Sequence, residues 1–289
     1  MGRDSGQAPG RRFKQGLARS NTGTLPDLGT NVERAAVRPG NRKLTRGAIK
    51  HIAIAAMLLN HVGRTFFAPD DSIFWILVDP GFMTAPVMCW FLVQGYHRTR
   101  SRKRYALRLV FFAVLTQPVY DLWHAICGMD TGSVNMLFTL SVCFLILTIR
   151  NGGLPWMLKM FLIGMLTVLT PNMTWPVLSC IAVLLFDTYY GRPGRVQFRL
   201  FAVIAALLAY CQIFGLFDIW HAVGPKYLLQ ASFAWIYVLL AGYLVAYRYD
   251  PDIVVTRSGR FSKYYFYAFY PGHLLILALI RFWIMSMMG

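Results

Sequence analysis

The sequence predicts an all-α fold: a polytopic transmembrane helix bundle of about nine spans, preceded by a disordered basic arm. Three observations carry that prediction. Of the 289 residues, 56% are hydrophobic and only 14% charged, and the mean hydropathy of +0.47 lies above the range of soluble domains. The apolar residues fall in runs close to the roughly 20 residues that cross a bilayer. The basic residues, 29 Lys and Arg against 12 Asp and Glu, concentrate in the arm and in short segments between runs, as the positive-inside rule expects of cytoplasmic loops. A formal charge of +17 would suggest nucleic acid in a soluble chain; here it reads as topology, and no nucleic-acid partner is expected.

Residues 1–48 are rich in Gly, Arg, Asn, Pro and Thr and lack periodic hydrophobics. They are expected to form a disordered cytoplasmic arm that touches anionic lipid. Arg11, Arg12, Phe13 and Lys14 resemble a twin-arginine signal only superficially, because no apolar region follows closely. The remaining 49–289 form the membrane domain. The first run, 49–68, carries Asn60, His61 and Arg64, and polar groups in hydrocarbon cost free energy unless partnered. Such a helix does more than anchor. His61 and Arg64, three residues apart, share a helix face, with Asn60 beside them.

The later runs are 74–96, 105–124, 134–150, 154–171, 174–190, 198–217, 227–247 and 264–286. Alternation places Asp70 and Asp71, Asp130, Asn172, and the stretch from Asp218 to Lys226 outside, with His221 on that outer surface. Arg98 to Arg104, Arg150, Arg192 to Arg199, and Arg248 to Lys263 then lie inside. The C-terminus falls outside. The fifth and sixth runs are short enough to be re-entrant instead. Asn172-Met-Thr174 matches a glycosylation acceptor but abuts a span end. No internal repeat of the kind common in transporters stands out. Cys89, Cys127, Cys143, Cys180 and Cys211 are scattered singly, so neither a disulfide framework nor a metal site is indicated. Glu33, in the arm, is the only glutamate, so intramembrane carboxylate chemistry falls to Asp.

The polar residues of three consecutive spans reach one depth. His61 and Arg64 lie in the outer half of the first, Asp79 near the outer end of the second, and Gln117, Asp121 and His124 in the outer half of the third. An Arg64–Asp79 ion pair is geometrically available. Each residue alone reads as a satisfied core group, but together they read as a functional layer. At the opposite face, the run from Gly95 to Arg108 includes His97, Arg98, Arg100, Arg102, Lys103 and Arg104. It is either a topological determinant or a clamp for a phosphorylated cofactor. The last span opens on tyrosines, with Pro271 two positions before His273, where a missing N–H opens the backbone.

Five stretches carry a family resemblance: His61 with Gly63, FLVQGYHRTRSRKRYALRL at 91–109, TQPVYDL at 116–122, NMLFTL at 135–140, and YAFYPGHLLIL at 267–277. Their order and spacing resemble the TraX family of bacterial integral-membrane proteins over about 44–281, and TrbP-like plasmid-transfer proteins look similar. The resemblance implies a bacterial inner-membrane location, a role in conjugative pilus biogenesis, and acetyl transfer from acetyl-CoA to an amine, the N-terminus of a pilin being the implied acceptor. It departs at one point: Asn60 stands where the family commonly has Asp, so Asp79 or Asp121 would have to supply the charge.

On this reading His61 acts as general base or is itself acetylated, Asp79 or Asp121 orients it, and Asn60 or Arg64 stabilises the oxyanion. Arg98, Arg100, Arg104 and Arg108 are the expected phosphate ligands for acetyl-CoA. Gln117, Asn135, Thr139, Tyr270 and His273 are secondary candidates. No metal is expected. The competing class is non-enzymatic: a proton-coupled transporter using the same relay, or an assembly partner of a pilus or secretion system.

Overall fold

The computed structural model describes residues 43–223, 233–250 and 260–288. Every apolar run seen in the sequence is helical over most of its described residues. Helix α1 is Arg46–Phe66; α2 (Ser72–Val78) passes through a 3-10 segment (Asp79–Met83) into α3 (Thr84–Arg98); α4 is Arg102–Ile126. Then come α5 (Met136–Arg150), α6 (Trp156–Val168), α7 (Leu178–Thr188) and α8 (Gly194–Val223). Helix α9 (Ala234–Tyr243) widens into a π segment (Leu244–Arg248), and α10 (Arg260–Met288) closes the fold. The described residues contain no strand, only isolated bridges between Leu44 and Tyr249 and between Val134 and Met173.

Local chemistry sets several boundaries. The Thr45 side chain accepts from the Ala48 N–H at 3.0 Å and starts α1, Ser101 caps α4 through Arg104, and Asn135 caps α5 through Leu137 at 3.0 Å. Each satisfies a backbone donor that a helix N-terminus leaves free. The membrane domain starts earlier than its first apolar residue suggests. Lys43 pairs with Asp250 at 3.0 Å and Leu44 is tied to Arg248 and Asp250, so ordered structure includes residues assigned to the arm. Residues 1–42 lie outside the described residues. Another boundary moves as well: α8 extends to Val223 and makes Asp218 and His221 helical rather than loop residues. Their side chains, and Lys226, lie outside the described residues.

Among the described residues, four helices are long and apolar enough to cross a membrane: Ser72–Arg98, Arg102–Ile126, Gly194–Gln212 and Tyr265–Met288. Shorter apolar helices stand at Met136–Arg150, Trp156–Val168, Leu178–Thr188 and Ala234–Arg248. Helix α1 has the length, but Arg46, Lys50, His51, Asn60, His61 and Arg64 make it too polar to join the four. Exposed apolar side chains coat the outer faces, among them Leu107, Phe111 and Val114 on α4, Trp156 and Phe161 on α6, and Ile276 and Phe282 on α10. Soluble domains do not carry such a girdle; a lipid-facing surface does.

The two short elements α6 and α7 run alongside α5 from one of its ends to the other. At one end Asn151, just past α5, donates to Asp187 of α7 at 3.1 Å. At the other, the Thr139 hydroxyl near the start of α5 donates to the Thr174 carbonyl at 2.9 Å, and Val134 is bridged to Met173. The loops 127–135 and 169–177 therefore gather at one end of the bundle, away from Arg98, Arg150 and Tyr190. A tight lock holds that second end. Asp187, its side chain 4% exposed, accepts from His97 at 2.7 Å and from Arg150 Nε at 2.8 Å, and His97 stacks on Tyr190. This is where His97 is spent.

Candidate active site

A cavity of about 570 Å³ opens at the end where the loops 127–135 and 169–177 meet. Its walls come from α1 (Met57, Asn60, His61, Arg64), the 3-10 segment and start of α3 (Gly81, Phe82, Thr84, Ala85), α4 (Tyr120, Trp123, His124) and Tyr270 of α10. The two loops form its roof, with Asp130, Ser133, Asn172 and Trp175 facing in. Trp175 and Val177 hold positive φ angles of 59° and 46°. Such angles are uncommon for any side chain and a true outlier for a β-branched one.

Helix α1 brings the polar face into the cavity through a close approach. Gly81 has no side chain, and a Cβ there would collide with Asn60. Asn60 crosses that contact: its Nδ2 donates to the Val78 carbonyl at 2.7 Å and its Oδ1 accepts from Arg64 Nε at 3.1 Å. One side chain must therefore both donate and accept. An amide does so and an ionised carboxylate cannot, which is a physical reason for Asn at this position.

His61 sits at the centre. Its Nδ1 lies 2.8 Å from the Met57 carbonyl and 3.2 Å from His273 Nε2. His273 repeats the arrangement, with Nδ1 2.8 Å from the Phe269 carbonyl. A carbonyl only accepts, so in neutral rings both Nδ1 atoms carry the proton and both Nε2 atoms carry the lone pair. His273 Nε2 then shares the His61 N–H, and His61 Nε2 makes no hydrogen bond among the described residues. Trp123 packs edge-on to His61 at 5.0 Å between centroids and Tyr270 at 6.3 Å. The Trp123 indole donates to Thr65 Oγ1 at 2.9 Å, and Thr65 donates to the His61 carbonyl at 2.6 Å. The imidazole is thus fixed from two sides.

The expected carboxylate partners are placed elsewhere. Arg64 and Asp79 form no ion pair: the ion pairs among the described residues are Lys43–Asp250, His97–Asp187 and Arg150–Asp187. Asp79 is 5% exposed and its Oδ1 has no hydrogen-bond partner. Asp121 accepts from Gln117 at 2.7 Å, one helical turn away. Gln117 also reaches the Ser133 carbonyl at 3.2 Å and accepts from Asn135 Nδ2 at 2.8 Å. Asn135, fully buried, donates to the Ala113 carbonyl at 2.9 Å. Gln117, Asp121 and Asn135 therefore brace the loop that roofs the cavity, and His61 is oriented by Met57 and His273, not by an Asp. Thr139, also fully buried, does the same for the second loop through Thr174.

Tyr120, Trp123 and Trp175 are cavity residues that the sequence did not single out, and His124, placed by the sequence in the outer polar layer, lines the cavity with them. His124 Nδ1 is held by the Asp130 carbonyl, and Tyr120 lies 4.3 Å from His124 between centroids. The i, i+4 step from Tyr120 to His124 was a signal already in the sequence. At the far end Arg98, itself exposed, lies beside Tyr190 and Tyr249, and Arg108 Nε lies 3.4 Å from the Tyr267 hydroxyl. Arg100 and Arg104 are exposed. No group of three or more metal-ligating side chains occurs among the described residues.

A family model described as "TraX protein" matches residues 45–281. The chain belongs to the TraX family. The match begins at Thr45, the cap of α1, and ends inside α10, so it takes in every element that builds the cavity. A curated relative, "Probable fimbrial assembly protein FimC, serogroup H1" of Dichelobacter nodosus, is 32% identical to this TraX protein over 239 residues, covering 79% of this chain and 92% of that protein. No solved structure matches.

Proposed function

We propose that this TraX protein is a membrane-embedded acetyltransferase that moves an acetyl group from acetyl-CoA to an amine, the N-terminus of a conjugative or fimbrial pilin being the acceptor. The observation that carries the reading is the free lone pair of His61 Nε2 in a cavity walled by Arg64. His61 Nε2 takes the proton from the attacking amine as the C–N bond forms. The carbonyl oxygen gathers charge, and the Nη groups of Arg64 face it; they are free because Arg64 spends only Nε on Asn60. Asn60 has both polar atoms committed, so it positions Arg64 rather than the oxyanion. As the C–S bond breaks, His61 returns its proton to the leaving thiolate. Met57, Phe82, Trp123 and Trp175 give the cavity apolar walls, which exclude water from a thioester prone to hydrolysis. The basic end of the bundle, with Arg98 and Arg108, suits the phosphates of the donor.

A bacterial inner-membrane location with a cytoplasmic N-terminus puts the basic end beside the cytoplasmic pool of the donor and the cavity toward the periplasm. Membranes given labelled acetyl-CoA and a pilin acceptor test the reading. His61→Ala is expected to reduce labelling to background, and wild-type labelling by that variant would overturn it. A second reading, a non-catalytic assembly partner, is favoured by the name of the Dichelobacter relative, a probable fimbrial assembly protein. Mass spectrometry of pilin from cells with and without this chain separates the two: an acetylated N-terminus that depends on the chain supports the enzyme.

A further inference from the structure

The basic end holds a cluster that the apolar pattern of α1 conceals. Arg46 and Lys50, one turn apart at the start of α1, both lie over the Phe91 ring of α3, at 5.4 and 5.3 Å from its centroid. Arg108 of α4 lies over Tyr105 at 5.1 Å and over Tyr267 of α10 at 5.5 Å. Arg46 and Arg108 are within electrostatic reach of Lys50, and Arg98 within reach of Arg46. Four cations from three helices thus converge, and among the described residues none of them has a carboxylate partner. Arg46 Nε is buried without a hydrogen-bond partner. Aromatic faces steady the cationic stems, but they do not neutralise four like charges that repel one another. Gly95 makes the gathering possible: a Cβ there would stand 2.8 Å from the Tyr105 ring, so the bare backbone lets Tyr105 close over α3.

We propose that Arg46, Lys50, Arg98 and Arg108 form a phosphate-binding site at the end of the bundle opposite the cavity. The chemical class of ligand is a phosphate ester or diphosphate, which matches guanidinium geometry and supplies the missing negative charge. The identification of its occupant with the phosphates of coenzyme A rests on the acetyl-transfer reading. Helix α1 links the two places. Lys50 and His61 are eleven residues apart, which is three turns and about 16 Å on the same face. Met57, the α1 residue nearest Lys50 that lines the cavity, stands about 10 Å along the axis from Lys50. A ligand with an anionic head at Lys50 and a reactive end near His61 would therefore lie along one helix. Arg100 and Arg104 are exposed like Arg98 but, unlike it, are not among the charges that act on Arg46 or Lys50, and they stay outside the site.

Purified full chain in phosphatidylcholine nanodiscs, titrated with coenzyme A, tests the site apart from catalysis. Lys50→Gln and Arg46→Gln are each expected to weaken binding by tenfold or more, Lys50→Arg to restore it, and Arg100→Gln and Arg104→Gln to change it less than twofold. His61→Ala is expected to bind normally. In a second arm, protein from phosphatidylglycerol-containing membranes is weighed by native mass spectrometry. Loss of bound phosphatidylglycerol on Lys50→Gln, with no coenzyme A binding by the wild type, upholds the phosphate site, assigns it to a lipid headgroup and removes the acetyl-CoA reading. Coenzyme A binding that is equal in wild type, Lys50→Gln and Arg46→Gln overturns the site and leaves acetyl transfer standing. A wild type that holds neither ligand overturns both.

Discussion

Asn60→Asp is the sharpest test of how α1 is held, because it changes one atom and makes opposite demands on two partners. The amide donates to the Val78 carbonyl at 2.7 Å and accepts from Arg64 at 3.1 Å. A carboxylate keeps the second bond and loses the first, leaving two acceptor oxygens face to face. Losing a half-buried hydrogen bond and stranding its acceptor costs about 1–3 kcal/mol. The gain from a charged pair with exposed Arg64 is at most about 1 kcal/mol. The net destabilisation is roughly 1–2 kcal/mol, which in a domain of this size lowers the unfolding midpoint by roughly 2–8 °C. Thermal unfolding in detergent or nanodiscs measures it, with Asn60→Ala as a companion that keeps the Cβ against Gly81 and loses both bonds. An Asn60→Asp protein as stable as the wild type would refute the donor role of Nδ2 and the account of why an amide stands here.

Further outcomes are expected on the same physical grounds. Gly81→Ala forces a methyl group into Asn60 and should destabilise by about 1–3 kcal/mol, seen as a lowered unfolding midpoint. His273→Phe removes the acceptor beside His61 Nδ1 but leaves the Met57 carbonyl, so acetyl labelling should fall roughly 5- to 30-fold, a loss of orientation of about 1–2 kcal/mol, while His61→Ala falls to background. Asp187→Ala strands His97 and Arg150. The loss should be about 2–3 kcal/mol, below the value for a fully buried pair because Arg150 is partly exposed, and it should appear in thermal unfolding with the cavity residues untouched.

The helices were legible because bilayer-length apolar runs leave few alternatives, and α1 to α10 fall on those runs with shifts of a few residues at their ends. Asn60, His61 and Arg64 on one cavity wall were legible for the same reason: helical spacing fixes which residues share a face. Asp79 and Asp121 show the limit. Counting residues along a helix gives a side chain's depth, and both lie near the depth of His61. Rotation about the helix axis decides what a side chain meets, and packing sets it. Rotation turned Asp121 to Gln117 and left His273, from the other end of the chain, to meet His61. Arg46 and Lys50 were obscured differently, Arg46 by assignment to the arm and Lys50 by inclusion in an apolar run. The roof was illegible because Trp175 owes its place to loop conformation, which has no period.

Strain in this protein sits in the roof of the cavity rather than in its walls. Trp175 and Val177 hold left-handed backbone angles, each of which costs on the order of 1–3 kcal/mol in a residue with a side chain. The energy that shapes the chamber's ceiling is thus stored apart from His61, Arg64 and Asn60. Height and polar lining can then be altered separately: Val177→Gly is expected to relax the ceiling and leave His61, Arg64 and Asn60 untouched.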